Sequence, residues 1–214
     1  MKKALFALAI AAMCATSQAG TIVAASGITS NSMGTLGGYS DAQMINQSGL
    51  SRTYVSGVTD FGTYLASGVT HQRGDSYGWL SNRTFSGAVV FDLGAAYNVS
   101  QFVMWNSASG VDASVNGFSL STSMTSDFAT STFAGNFVGQ MANFNSTVYD
   151  MTNSTARYVQ MTINDNFGNG CCVAIGDVAF DVTQASAVPE PASLALIGLG
   201  LAGVGFSRKR KQSK

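Results

Sequence analysis

The stretch "RYVQMTIN", residues 157–164, has the alternation expected of a β-strand with one buried face. Val159, Met161 and Ile163 are apolar, whereas the residues between them are polar. Successive side chains of a strand point to opposite sides, so these three residues lie on one face. The pattern predicts a half-buried strand, and further runs of this kind lie on both sides of it.

These further runs predict a body built almost entirely of short strands. They are "AVVFDLG" (88–94), "VSQFVMW" (99–105), "NGFSLSTS" (116–123) and "VAIGDVAFDV" (173–182). In the last run the apolar positions change phase at Gly176, which predicts a bulge there. Segments rich in Gly, Asn and Ser separate the runs, and no long stretch has helical periodicity. The sequence therefore predicts an all-β sandwich.

The N-terminal residues predict export. Lys2 and Lys3 precede an apolar run, and the sequence Ser17-Gln18-Ala19 supplies the small residues that a signal peptidase requires. We predict a signal peptide over residues 1–19, formed as a short helix and removed after Ala19. Residues 20–187 then form one β-sandwich domain with its own core.

The charge of this domain excludes some classes of function. Residues 20–187 contain four arginines, ten aspartates and no lysine, which gives a net charge of −6. Without a basic surface to neutralise phosphates, the domain is not expected to bind nucleic acid. It has a single histidine, His71, and no motif of a hydrolase or metalloenzyme. We therefore predict that the protein is not an enzyme.

The order of several motifs resembles the discoidin-like, galactose-binding-like domains. A strand ending in Asp92-Leu93-Gly94 precedes a strand ending in Trp105, and the strand that begins Arg157-Tyr158-Val159 precedes the closing "IGDVAF" (175–180). The resemblance covers roughly residues 55–182. It implies a jelly-roll β-sandwich, which in this chain is flanked by the N-terminal signal helix and a C-terminal hydrophobic helix.

The same resemblance implies a structural calcium ion. In this family the ion ties an early loop to an acidic residue of the closing strand, and Asp60 and Asp177 match those positions. Calcium prefers six to eight oxygen ligands, which loops rich in Asp and Asn can supply. The alternative is that these aspartates only cap turns.

The resemblance also implies a sugar site in which an aromatic side chain stacks on the ligand and polar side chains contact its hydroxyls. The residues that match this description are His71, Arg73, Tyr77, Trp79 and Phe167. The arginine that the family places after the tryptophan strand has no counterpart in "NSASGVDASVNG" (106–117). The alternative is a solvent-facing loop with one buried tryptophan.

Two cysteines remain in the body, Cys171 and Cys172, and they are neighbours. Their Cα atoms are about 3.8 Å apart across a trans peptide, below the roughly 4.4–6.8 Å that disulfides prefer. A vicinal disulfide, a pair of free thiols and a link to another chain all remain open.

The C-terminal residues 188–211 have three parts in a fixed order. Both prolines and the only glutamate of the chain occur in Val188, Pro189, Glu190 and Pro191. The apolar segment 192–206 follows, and then a basic cluster of Arg208, Lys209, Arg210 and Lys211. This end resembles the PEP-CTERM sorting signal that exosortases recognise in Gram-negative bacteria producing extracellular polysaccharide. The resemblance implies a transient inner-membrane anchor with a cytoplasmic basic end, followed by cleavage and release.

These observations together predict an exported protein of the cell surface or of an exopolysaccharide or biofilm matrix. Its expected partners are an exosortase and extracellular polysaccharide, the latter through a carbohydrate-binding module. The alternatives are a secreted polysaccharide hydrolase and a purely structural adhesive protein.

Overall fold

The computed structural model describes residues 20–185, except residues 75, 108 and 142–143. The described residues up to Thr183 belong to one compact unit. The predicted signal peptide (1–19), the sorting signal (188–211) and the hydrophobic helix predicted within it lie outside the described residues. Within the described range, no helix is both long enough and apolar enough to cross a membrane.

The described residues form an antiparallel all-β structure, which confirms the predicted fold class. A single short α-helix, α1 (Phe61–Ala66), and two 3₁₀ helices, Asp41–Met44 and Val111–Ala113, accompany the strands in this part of the chain. The strands are β1 (Thr21–Val23), β2 (Gly27–Asn31), β3 (Trp79–Leu80), β4 (Gly87–Asn106), β5 (Gly117–Ser123), β6 (Thr132–Val138), β7 (Ser146–Ile163) and β8 (Ala174–Gln184).

Two strands are much longer than the sequence pattern predicts. Residues 88–94 and 99–105, predicted as separate strands, are two halves of the 20-residue β4. Its pairing with β7 changes register between Asp92 and Tyr97, beside Gly94, which has a φ of +82°. Arg157 of β7 holds this bend, because its Nε and Nη2 atoms donate to the two carboxylate oxygens of Asp92 at 2.9 Å.

The bend folds the sheet into two layers. The strands follow the order β1-β8-β4-β7-β5-β6, while β2 pairs with β4 and β3 pairs with β8. Phe118 of β5 is paired with Ile163 at the end of β7, whereas Phe102 lies on the far half of β4. The ring centroids of Phe102 and Phe118 are nevertheless 6.0 Å apart. Because these rings are on opposite sides of the bend, the two halves of the sheet face each other.

The closing strand β8 is covered on both faces, and its inward-facing positions change phase across Gly176, as the sequence pattern predicts. Ile175, Val178 and Phe180 lie in the core between the layers, whereas Ala179 belongs to a second core beneath α1. The pairings of β8 with β1 and β3 each keep one register. Gly176 is required by close packing, since a Cβ atom there would lie 2.7 Å from the carbonyl oxygen of Trp105.

Candidate ligand-binding site

Trp79, predicted as a stacking residue, is part of the core. Its side chain is 1% exposed and packs between the layers. Its Nε1 atom donates a hydrogen bond of 2.8 Å to the hydroxyl of Thr35, so the polar edge of the indole is satisfied internally. Trp79 therefore cannot stack on a ligand at the surface.

His71 is also buried and is held by the backbone around it. Its ring packs against Gly49 and Gly176, where a Cβ atom would meet the imidazole. Its Nδ1 atom lies 2.7 Å from the carbonyl oxygen of Gln72. Burial lowers the pKa of His71, against the smaller opposing effect of this carbonyl. At neutral pH the residue is an uncharged packing element that a ligand cannot reach.

Arg73 and Tyr77 lie on a surface segment that is held by other loops. Arg73 is exposed and Tyr77 is half-buried. Gln43 fixes this segment, because its Nε2 atom donates to the carbonyl oxygen of Ser76 at 2.6 Å. The structure therefore does not gather the five predicted ligand residues into one site: two are buried, two lie on this segment, and Phe167 lies on another loop.

Phe167 lies half-buried in residues 164–173, which connect β7 to β8 and are called here the disulfide loop. The sulfur atoms of Cys171 and Cys172 are bonded to each other within it. Cys171 is exposed, whereas Cys172 packs against Leu80 and Ala174. One half of the disulfide thus faces solvent while the other anchors the loop to the body.

Two asparagines give the disulfide loop its shape. The Nδ2 atom of Asn166 donates to the carbonyl oxygens of Asn169 and Cys172, at 3.0 and 2.9 Å. The Oδ1 atom of Asn169 in turn accepts from the backbone nitrogens of Cys171 and Cys172, at 2.9 and 3.0 Å. These four bonds close the loop around Phe167, so the ring is presented by a preorganised backbone.

Neighbouring segments hold the loop from outside. Asp165 accepts a 2.6 Å hydrogen bond from the backbone nitrogen of Gly117 at the start of β5. Asn169 donates through Nδ2 to the exposed carboxylate of Asp112 at 3.1 Å, and Val115 forms a β-bridge with Asn166. Asn169 is two residues from Phe167 along the loop, and in the described part of the chain its second N–H and the second oxygen of Asp112 have no recorded hydrogen bond.

Asn106, which the sequence pattern does not single out, supports the disulfide loop through the backbone of Val115. It is buried, accepts from the backbone nitrogen of Val115 at 2.9 Å and donates to the carbonyl oxygens of Val115 and Gln140 at 2.8 Å. Because Val115 also pairs with Asn166, Asn106 positions the disulfide loop through one intermediate. The one available signal was a polar residue that directly follows the apolar run 99–105.

The two aspartates predicted to share a calcium ion lie at different places. Asp60 caps α1, where it accepts from the backbone nitrogen of Thr63 at 2.7 Å, as the alternative interpretation expected. Its charge acts on Asp181, which is four residues, or about 13 Å, along β8 from Asp177. In the described part of the chain, no group of three or more His, Cys, Asp or Glu side chains could hold a metal ion.

Asp177, the other predicted calcium ligand, lies buried on β8 and has few recorded contacts. The residue is 0% exposed, and its Oδ2 atom accepts from the backbone nitrogen of Gln47 at 2.8 Å. Among the described residues its Oδ1 atom has no partner, and neither has the hydroxyl of Tyr54. Burial raises the pKa of Tyr54, and the charge of Asp177 raises it further. These contacts alone do not make up the six to eight oxygen ligands that calcium prefers, so a calcium ion at Asp177 stays a prediction.

The described aspartates take part in separate local contacts. Burial raises the pKa of Asp177 well above its ordinary value, but the carboxyl is sealed from any substrate. The Arg157 guanidinium beside Asp92 lowers the pKa of that carboxyl. The aspartates at 41, 112, 127, 150 and 165 accept hydrogen bonds from neighbouring side chains or turns.

Residues 187–211 match the PEP-CTERM protein-sorting motif. The match coincides with the Val-Pro-Glu-Pro sequence, the apolar segment and the basic cluster, and it confirms the sorting signal predicted from them. The motif marks an exported protein that is a substrate of an exosortase. Among curated proteins, none matches this chain.

The structural neighbours are carbohydrate-binding β-sandwich domains, the class that the sequence motifs resemble. GH31 CBM32-2 bound to GalNAc is 12% identical and covers 76% of this chain and 98% of its own, with a TM-score of 0.49. The C-terminal domain of a chitobiase from Bacteroides fragilis is 20% identical and covers 51% and 74%, with a TM-score of 0.44. The CBM32 of AlyQ, in complex with 4,5-unsaturated mannuronic acid, is 27% identical and covers 49% and 76%, with a TM-score of 0.41. All three TM-scores are below 0.5, so these overlaps assign no ligand to this chain.

Proposed function

We propose that this protein is a non-catalytic component of the cell surface or extracellular matrix, whose body binds extracellular polysaccharide through the disulfide loop. The sorting motif supports export and processing by an exosortase. The observation that carries the binding proposal is Phe167, a half-buried ring on a loop closed by a disulfide and by the asparagine hydrogen bonds. A rigid aromatic side chain loses little entropy when it stacks on a sugar face.

The polar side chains of Asp112 and Asn169, which bond each other at the disulfide loop, suit hydroxyl recognition. Asp112 is exposed and keeps one carboxylate oxygen for a ligand hydroxyl, while Asn169 keeps one N–H as a donor. An apolar face flanked by one acceptor and one donor is the usual composition of a carbohydrate site. With a net charge of −6, the domain repels anionic glycans at low salt, and this repulsion is screened as salt rises.

Replacement of Phe167 tests the binding surface. We expect Phe167→Ala to weaken binding to the producing organism's matrix polysaccharide at least about tenfold, because the stacking contact is lost. Phe133→Ala is the matched control, since Phe133 is 57% exposed on β6, five residues from Val138. Val138 pairs with Gly117 of β5, which contacts the disulfide loop. The measurement is a calorimetric titration of residues 20–187, with a parallel assay of released reducing ends.

Three outcomes would contradict this proposal. Equal losses in the two phenylalanine variants would mean that the binding surface lies elsewhere. Absence of saturable binding by the wild type would favour the purely structural adhesive protein. Release of reducing ends that a single aspartate substitution abolishes would favour the polysaccharide hydrolase.

Processing at both ends is tested by intact-mass measurement of the exported protein. We expect a chain that begins at Gly20 and ends close to Pro191, because the signal peptide and the sorting signal are both removed. Growth without the exosortase should leave the C-terminal segment attached. Recovery of the basic cluster, Arg208 to Lys211, in extracellular protein from normal cells would refute the C-terminal cleavage.

A further inference from the structure

Gly20, the residue after the predicted signal-peptide cleavage, lies against an acidic side chain of the closing strand. A side chain on Gly20 would overlap the Oδ1 atom of Asp181. Because the α-nitrogen is bonded to the same Cα at about 1.46 Å, it lies within roughly 5 Å of that oxygen. The contact explains why the position is a glycine and places the backbone nitrogen in reach of the carboxylate.

Asp181 lacks a positive partner at this point. Its Oδ2 atom accepts from the hydroxyl of Ser100 at 2.9 Å, while its buried Oδ1 atom has no hydrogen-bond partner among the described residues. In the described part of the chain the recorded ion pair joins Arg157 to Asp92, so Asp181 has no basic side-chain partner there. Burial raises the pKa of Asp181, and the nearby charge of Asp60 raises it further.

The backbone of Gly20 is fixed in this position. Its carbonyl oxygen accepts from the nitrogen of Phe61 at 3.1 Å. The next residue, Thr21, pairs with Val182 of β8 and forms a bridge with Asp60. The start of β1 is thus held between the N-terminus of α1 and β8, with the carboxylates of Asp60 and Asp181 facing it.

We infer that removal of the signal peptide completes this site: the new α-ammonium group of Gly20 pairs with the carboxylate of Asp181. In the precursor this nitrogen is the uncharged amide of the Ala19–Gly20 peptide bond. Hydrolysis of that bond converts it into a protonated amine, and the carboxylate of Ala19 leaves with the signal peptide. The domain therefore receives a stabilising ion pair at the moment of its maturation. This inference rests on the export included in the proposed function.

The composition of residues 20–187 makes the ion pair between Gly20 and Asp181 directly measurable. Residues 20–187 contain no lysine, so the α-amine of Gly20 is the only primary amine of the mature chain. Acetylation of the purified chain therefore changes one site and restores an amide like that of the precursor. Asp181→Asn removes the carboxylate with little change in shape, and the four species form a double-mutant cycle.

At pH 6 we expect acetylation to lower the melting temperature of the wild type by about 2–4 °C, the shift for a loss of about 1 kcal/mol in a domain of this size. It should have no such effect on Asp181→Asn. The ion pair with Asp181 raises the pKa of the Gly20 amine in the folded state above its value in the unfolded state. Its stabilisation is therefore present below the unfolded amine value of about 7.7 and is lost as pH rises through the folded value. The carboxylates of Asp181 and Asp60 face the amine, so the effect also disappears as they become protonated at low pH.

Amine reactivity gives an independent readout. The free amine should react more slowly with an acylating reagent in the wild type than in Asp181→Asn at pH 7.5. Equal effects of acetylation on the wild type and on Asp181→Asn, or equal reaction rates of their amines, would contradict the proposed ion pair. N-terminal sequencing of exported protein separates this failure from a failure of export: a first residue other than Gly20 would refute the link to maturation. The melting and labelling experiments need neither export nor a glycan.

Discussion

Asp177→Asn is expected to stabilise the folded domain at neutral pH. Burial raises the pKa of Asp177 well above its ordinary value, and its Oδ1 atom has no partner. The proton that the folded state holds there favours folding fully below the unfolded pKa of about 3.9, and this contribution is lost as pH rises through the folded value. Asparagine avoids the charge, and its amide oxygen can still accept from the backbone nitrogen of Gln47.

The expected gain is about 1–3 kcal/mol near pH 7, the usual cost of burying an unsatisfied polar atom. It should shrink as pH falls and approach zero below the unfolded pKa of about 3.9, where the wild-type carboxyl is neutral in both states. Melting curves across this range measure the gain. Asp150→Asn is the matched control, since it makes the same change in net charge at an exposed residue that bonds Gln101.

Melting curves of the wild type and of Asp177→Asn in calcium test the alternative, that Asp177 binds the ion. Because the recorded contact of Asp177 is with an N–H donor and a neutral buried carboxyl binds calcium poorly, we expect melting curves in calcium and in chelator to coincide for the wild type. A wild-type curve that calcium raises, together with an Asp177→Asn curve that calcium leaves unchanged, would place the ion on Asp177. The stabilisation expected from asparagine would then be contradicted.

Asn106→Ala is expected to cause the largest loss of stability among the polar substitutions considered. It leaves the N–H and C=O groups of the fully buried Val115 without partners, and also frees the carbonyl of Gln140. Two unsatisfied buried groups cost about 2–5 kcal/mol together, a large share of the roughly 5–15 kcal/mol that stabilises a domain. Denaturant unfolding should show a lower midpoint with an unchanged slope.

Two further variants separate the contributions. Asn106→Asp keeps the acceptor for Val115 but removes the donor, so it should also be destabilised. Asn98→Ala removes a single hydrogen bond, accepted from the hydroxyl of Thr155 at 2.6 Å in an exposed position, and should cost less than about 1 kcal/mol. An Asn106→Ala protein as stable as Asn98→Ala would show that the Val115 groups find other partners.

Strand positions could be predicted from the sequence because alternation is a local property. The predicted run 116–123 differs from β5, Gly117–Ser123, by one residue. The continuity of β4 could not be predicted in this way. It depends on Gly94 and on the ion pair between Asp92 and Arg157, two residues far apart in the sequence.

The site was less predictable, because burial depends on what packs against a residue. Trp79 and Phe167 are both aromatic residues near polar ones, and only the pairing of β3 with β8 places the first in the core. Asn106 resembles any polar residue at a strand end until Val115 is brought beside it. From the sequence, the adjacent cysteines could be bonded to each other, free, or bonded to another chain. The structure shows them bonded to each other within a loop.

Because β4 and β7 each run through both layers, neither layer can unfold locally while the other stays intact. An opening that exposes one layer must also break the paired strands of the second, so local opening of the core should cost nearly as much as complete unfolding. A protease acting on transiently opened chains would then find few cleavable conformations short of the fully unfolded one. For a protein exported beyond the reach of cytoplasmic chaperones, this topology confers resistance to degradation without additional disulfides.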